Sequence, residues 1–463
     1  MPYMPITEAM FLIAETREQP MHVGGLQLFV PRDGQSSTEL AEEIYETFRT
    51  CTDVAPLFRK RPASPATIVG NVAWTHDDGI DFDYHLRRIV LPRPGRIREL
   101  FHYVSLEHGT LLDRFRPMWE VHVIEGLEDG RVALYTKVHH SLIDGVTALR
   151  LLQRSLSSDP EDRDGTAPWD PRLFNRRKKA PKPAPGLLER IGGIADVAGQ
   201  VVTLGGASAK VALSAITDAD FKAPLTPAPR TPLDVAIGSA RRFAAQQWDI
   251  DRLRAVGAGL DITLNDVVVA MCSSALRAYL IDLDALPDSP LVAALPVSMH
   301  TDNSSDGNAV TLILANLATN EPDPQRRVDT IIASTRKSKE VVRSLKPLHA
   351  LALGAANIAP LAFTTIPGFV QYVPPQFNLI ISNVPGPKEE LYWNGARLDG
   401  CYPLSIPVEG QALNITVTST AHHINFGLTG ARAELPHLQR LLTHLDTALA
   451  ELEKIAQITS DET

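Results

Sequence analysis

Apolar residues recur along this chain with two different periods, and the switches between them mark its elements. Runs at Gly24–Val30, Trp119–Ile124 and Val132–Val138 predict strands, the last two joined by a turn at Glu128-Asp129-Gly130. Helical spacing predicts helices over Thr38–Thr50, after a cap-like Ser36-Ser37, and over Ile97–Leu112. The pattern lapses from Ser157 to about Arg241, where turn residues, a basic run at Arg176–Lys182 and Pro224, Pro227, Pro229 and Pro232 predict a crossover linker with a helical segment. It resumes at Ile250–Gly259 and in a helix reaching Tyr279, with Thr263 as N-cap and Asp266 suited to the positive end of the helix dipole. Strands are expected at Leu291–Ser298, Val310–Leu317, Phe377–Ser382, Leu413–Ser419 and His423–Leu428, and helices at Gln325–Leu345 and Leu435–Ile455. The expected architecture is α/β of the α+β type, with mixed sheets flanked by helices: residues 1–160, a linker at 161–240, and residues 241–463.

At 463 residues the chain exceeds one ordinary core. A net charge of -9 argues against nucleic-acid binding, which favours a basic face. Three scattered cysteines, Cys51, Cys272 and Cys401, form no metal or redox spacing and suit a reducing compartment, so a cytoplasmic location is expected. The N-terminal residues lack the basic and apolar regions of a signal peptide. No Asp, Glu, Lys or Arg lies between Lys346 and Lys388. Pro360, Pro367, Pro374 and Pro375 there argue against a membrane-spanning helix, leaving a buried core segment or a wall for lipid or an acyl chain. Gly186–Ile216 is either an amphipathic surface helix or a linker helix.

The candidate chemistry is concentrated in His139-His140-Ser141-Leu142-Ile143-Asp144-Gly145, at the end of a predicted strand. Imidazole titrates nearest neutrality and suits general-base work. Adjacent residues of a strand face opposite ways, so the two rings make a poor metal pair and take separate jobs. No serine-hydrolase elbow, phosphate-binding glycine loop or zinc-protease helix motif is present. His422-His423 lacks the Asp-Gly sequel and reads as a strand pair without chemistry.

The His-His-x-x-x-Asp-Gly motif resembles that of the chloramphenicol acetyltransferase-like superfamily, and the flanking sequence is similar to bacterial wax ester synthase/diacylglycerol acyltransferases. The resemblance rests on Met21-His22-Val23-Gly24-Gly25-Leu26-Gln27-Leu28-Phe29, Pro117-Met118-Trp119-Glu120, Asn265-Asp266, Pro296-Val297-Ser298, Gly307-Asn308 and Asn383-Val384-Pro385-Gly386-Pro387, in family order from about residue 5 to 430. It departs where Met118 replaces leucine and where Ser419-Thr420-Ala421-His422 replaces a Ser-Tyr-x-Gly stretch, which puts the acceptor side in question. The resemblance implies two subdomains around a tunnel, long-chain acyl-CoA as a substrate rather than a cofactor, and diacylglycerol or a fatty alcohol as acceptor. It implies His140 as base, His139 as support, a structural Asp144 paired with an arginine, and Gly145 keeping space beside the thioester. Asn265 is either an oxyanion donor or a capping and contact residue. Trp119, Asn383, Pro385 and Gly386 are structural. No metal is implied, and peripheral attachment to the inner face of a membrane or to lipid inclusions is expected. A condensation-type acyltransferase using a carrier-bound acyl group and a non-catalytic lipid-binding relative remain alternatives.

Overall fold

A computed structural model describes residues 4–64, 73–174, 227–299, 309–345, 353 and 369–457. The basic run, the Gly186–Ile216 segment and most of the charge-free stretch after Lys346 lie outside these residues. In chain order the strands are β1 (His22–Val30), β2 (Lys60–Pro62), β3 (Trp74–His76), β4 (Leu86–Val90), β5 (Trp119–Glu125), β6 (Val132–His139) and β7 (Arg241–Asp249). They continue as β8 (Val292–Met299), β9 (Ala309–Asn316), β10 (Leu379–Val384), β11 (Tyr392–Trp393), β12 (Ala396–Leu404), β13 (Leu413–Ser419) and β14 (His423–Ala431). One six-stranded sheet runs β11-β12-β1-β6-β5-β4 and a second runs β7-β14-β13-β10-β8-β9; β2 and β3 form a separate ribbon. The chain is therefore not divided between its sheets at one linker: residues 392–404, placed with the C-terminal subdomain by the sequence, return to complete the first sheet beside β1.

Several element ends have local causes. Helix Ser37–Thr50 opens on a capping box in which Ser36 and Glu39 satisfy each other's backbone N–H groups, and helix Leu264–Asp282 opens on the same arrangement between Thr263 and Asp266. The helix expected to reach Leu112 stops at His108, because the carbonyls of Glu107 and Thr110 turn to the Lys137 ammonium at 3.0 and 2.9 Å. The strand expected at 377–382 begins at Leu379, since the Asn378 side chain and backbone both bond Val292 in place of a ladder rung. The closing helix begins at Arg440, five residues later than expected, beyond the break at Pro436.

Both faces of β5 and β6 are buried, so the polar positions of the β5 alternation, Glu120 and His122, are buried together with Lys137 of β6. Outside, Val121, Val123, Val132 and Leu134 pack with Phe48, Trp119 and Trp169. Inside, Leu26, Leu28, Tyr135, Tyr402 and Leu404 meet Phe243 and Ala245 of β7, which joins the halves. The second sheet carries its own core under helices Leu264–Asp282 and Arg440–Ile455. Helix Leu264–Asp282 is long and apolar enough to cross a membrane, but its residues Asp266 to Leu276 are buried in that core.

Where the sheets meet, a Cβ on Gly427 would lie 2.0 Å from the Pro403 carbonyl oxygen. Backbone on both sides leaves nothing to yield, so Gly427→Ala is expected to cost at least about 2 kcal/mol, as overpacking of cores does. A urea-unfolding midpoint equal to the parent's would refute this.

Candidate active site

Strand β6 sits between β1 and β5, and its last residue, His139, lies opposite His22 of β1. His140 follows in a turn, and its backbone N–H donates to Met21 O at 2.8 Å while His139 N–H donates to Met118 O at 3.0 Å. Neighbouring chains on both sides thus hold the doublet by its backbone, and the two rings diverge.

The His139 ring is fully buried. Its Nδ1 accepts the Ser141 backbone N–H at 3.1 Å and lies 2.7 Å from the Ser141 hydroxyl. An accepting Nδ1 puts the proton on Nε2, which faces Glu15 Oε1 at 3.3 Å. Burial alone would raise the Glu15 carboxyl, but His139, the Met21 N–H and Arg114 outweigh it and hold the group below its ordinary range.

The His140 ring is partly covered. Phe11 of helix Ile6–Ala14 stacks on it with centroids 4.1 Å apart and planes at 21°. Its Nδ1 is enclosed and accepts no hydrogen bond from another residue. Desolvation lowers the ring to about 4, against the smaller opposing effects of its own carbonyl and the Asp144 charge. The imidazole is therefore neutral near pH 7 with an available lone pair. At the end of the motif, a Cβ on Gly145 would meet nothing within 4 Å, so the space around that residue is open.

Among the described residues Asp144 has no arginine partner. It caps helix Gly145–Arg154, its Oδ1 accepting Thr147 N–H at 2.8 Å and its Oδ2 the Thr147 hydroxyl at 2.9 Å. The carboxylate is exposed, and the cap fixes the direction in which the chain leaves the histidines. Gly25 lets that helix pack onto β1: a Cβ there would approach Leu152 Cδ1 to 2.8 Å.

Trp119 is fully buried, donates to Phe58 O at 2.8 Å, and stacks on His85 with centroids 4.3 Å apart. Met118 beside it fills a cluster with Leu12, Leu112 and Leu142, as a volume-conserving replacement for leucine should. Asn383 donates to Asn265 Oδ1 at 3.3 Å, so the turn after β10 is tied to the start of helix Leu264–Asp282. Among the described residues no hydrogen bond, ion pair or ring contact joins that pair to either histidine. Pro385 continues the turn, and Gly386 is required there, because a Cβ would lie 1.7 Å from Ser419 O. Of the second doublet, His423 opens β14 while His422 stands outside it, 3.3 Å from Glu390.

A second polar cluster lies under β6. Glu107, Glu120 and His122 bring ligand atoms within 4.8 Å, a grouping that alone would suit a cation. Lys137 and Arg87, each 3.5 Å from Glu120, already supply positive charge there. Burial opposes ionisation of Glu120, but His122, Lys137 and Arg87 more than compensate and lower it to about 2.

The sequence reading missed Phe11, Glu15 and Arg114. Its one available signal was an apolar run at residues 9–14 with an acid at its end.

Comparison with known proteins follows this geometry. Residues 4–268 match a family model described as the wax ester synthase/diacylglycerol acyltransferase catalytic domain, and residues 306–453 match its C-terminal domain. A putative diacylglycerol O-acyltransferase of Mycobacterium bovis is 47% identical over 462 residues, covering 99% of this chain and 100% of its own. O-acyltransferase WSD of Acinetobacter baylyi is 40% identical, with 98% and 97% covered. The solved wax ester synthase/diacylglycerol acyltransferase of Marinobacter aquaeolei superposes with a TM-score of 0.75 at 41% identity, covering 98% of this chain and 100% of that one. The first condensation domain of the calcium-dependent antibiotic synthetase, 14% identical with a TM-score of 0.58, shares the fold.

Asp144 separates a capping role from a chemical one. Asp144→Ala should lower stability by about 1 kcal/mol, whereas Asp144→Ser, which can still cap, should keep stability and most activity. A serine variant folded like the parent yet as inactive as one lacking His140 would refute the capping role.

Proposed function

Because the chain belongs to the wax ester synthase/diacylglycerol acyltransferase family, we propose that it transfers a long-chain acyl group from acyl-CoA to the hydroxyl of diacylglycerol, and to long-chain alcohols, with His140 as general base. The observation that carries this reading is the neutral His140 ring, held by its backbone and the Phe11 stack.

With Nδ1 enclosed, Nε2 is the nitrogen that works. It takes the acceptor hydroxyl proton as that oxygen bonds to the thioester carbonyl carbon. The tetrahedral intermediate collapses, the C–S bond breaks, and the imidazolium returns the proton to the departing thiolate. No acyl-enzyme forms, so no activated nucleophile is needed. His139, its Nδ1 engaged by Ser141 and its Nε2 facing Glu15, serves as support. The Asn265–Asn383 pair favours the contact role for Asn265 over that of an oxyanion donor. Both acceptor classes partition into lipid, and Met10 (51%), Ile13 (60%) and Phe115 (64%) are apolar and exposed near the site, with Arg114 bonding Leu12 O to join their segments. These features support peripheral attachment to the inner face of a membrane or to lipid inclusions; recovery of the protein wholly in the soluble fraction of lysed cells would count against it.

His140→Ala should lose at least about 1,000-fold in ester formation while remaining folded, more than the 10²–10⁴ of proton transfer at its low end. In the parent, kcat/KM should stay level from pH 7.5 to 5.5, since a ring lowered to about 4 remains unprotonated there. Mass spectrometry of the products from acyl-CoA with diacylglycerol or a fatty alcohol reads both the rate and the acceptor. Full turnover in His140→Ala would sink the mechanism, and an acidic limb centred near 6.5 would sink the desolvated base.

A further inference from the structure

Three separate constraints on His140 converge on one buried carboxylate outside the motif. Glu15 follows directly after helix Ile6–Ala14 and its side chain is 2% exposed. Its Oε2 accepts both Nε and Nη2 of Arg114, at 2.9 and 2.8 Å, and the same Nη2 donates to Leu12 O at 2.8 Å. Its Oε1 accepts the Met21 backbone N–H at 3.0 Å and faces His139 Nε2 at 3.3 Å.

Each bond leads to His140. Met21, gripped by its N–H, receives the His140 N–H on its carbonyl. His139, gripped by its ring, is the preceding residue. Phe11, one helical turn before Glu15, lies on the face of the His140 ring. The Arg114 fork locks the end of that helix, and so fixes where Phe11 sits.

We infer that Glu15, held by Arg114, is a positioning residue for the acyl transfer. It touches neither substrate nor the reacting nitrogen, and sets the backbone, the preceding ring and the stacked ring that orient His140. The inference rests on His140 being the base. Nε2 must stand within hydrogen-bond reach of the acceptor oxygen and then of the thiolate sulfur, and a misplacement of about 1 Å can cost 100-fold. A packing role alone would need no charge at this site. Burying a carboxylate is expensive unless it is paired and fully bonded, and here every bond it makes is aimed at the catalytic turn or at the helix that covers it.

Glu15→Gln keeps the shape but sets an amide N–H₂ against either the Arg114 fork or the His139 Nε2–H, where donor faces donor. We expect kcat to fall 10- to 100-fold with KM for acyl-CoA within threefold of the parent. Arg114→Lys, which keeps the charge but cannot form the two-pronged contact, should lower kcat about tenfold with KM unchanged, and it decides the matter if Glu15→Gln fails to fold. Combining Glu15→Gln with His139→Ala should cost no more than the worse single change, because both remove the same constraint. Steady-state rates, with thermal unfolding as the fold control, read all of these. A kcat within threefold of the parent in a folded Glu15→Gln, or a raised KM at unchanged kcat, would overturn the inference. Independent, additive losses would reduce Glu15 to a packing residue and overturn it too. Full activity of His140→Ala would instead bring down the base on which it rests, whatever Glu15→Gln does.

Discussion

The constraint on which the catalytic half depends is the burial of one ammonium group. Lys137 has no exposed surface, and leaving such a charge unpaired inside a protein would cost several kcal/mol. Its Nζ is satisfied by Glu107 O, Thr110 O and Glu120, at 3.0, 2.9 and 3.5 Å. Those bonds end helix Ile97–His108 and tie it to β6. They leave His108 where its Nε2 donates to Ser405 O, its Nδ1 accepts the Tyr135 hydroxyl, and its carbonyl receives His22 Nε2. His22 is the residue opposite His139. The floor under the His139-His140 doublet is thus a polar lattice built outward from one buried lysine, with buried neutral histidines completing it.

Most elements were legible because their pattern and their burial agree. Ser36 and Thr263 cap the helices that follow them, and β1, β6 and β13 are rich in apolar and β-branched residues bounded by turns. Elements that went unread carry polar or breaking residues for reasons only the tertiary structure supplies. β12 contains Asp399, Gly400 and Pro403, yet Asp399 is paired with Arg131 at 2.8 Å, and Pro403 is accommodated because Gly427 opposite has no side chain. β4 contains Arg87 and Arg88, which meet Glu120 and Glu125 of the neighbouring β5. No local periodicity announces a charge whose partner lies more than thirty residues away. The return of residues 392–404 to the first sheet is a long-range pairing of the same kind.

The site was legible in its motif and hidden in its support. A doubled histidine at a strand end, followed by Asp-Gly, states the chemistry compactly. The strand alternation that separates the two rings holds only to His139, where β6 stops; beyond it, Met21 O and the Phe11 ring decide where His140 points. Asp144 was assigned a charged partner by analogy, whereas its position before a helix of good formers makes it a cap. Its described hydrogen bonds both go to Thr147 of that helix.

The same distinction applies to the turn after β10. Asn383 binds Asn265, and Gly386 both donates its N–H to the Ser419 hydroxyl at 3.1 Å and lies so close to Ser419 O that no side chain fits. The segment that departs from the family pattern, Ser419-Thr420-Ala421-His422, is therefore the surface on which the invariant-looking turn rests. Ser419 keeps the two contacts that the turn requires. Thr420 closes the β13–β14 connection through its N–H to His423 O at 2.8 Å, and His422 leaves the strand to pair with Glu390. Thr420 and His422 make their described contacts with His423 and Glu390, while the tie between helix Leu264–Asp282 and β10 runs through Asn265 and Asn383.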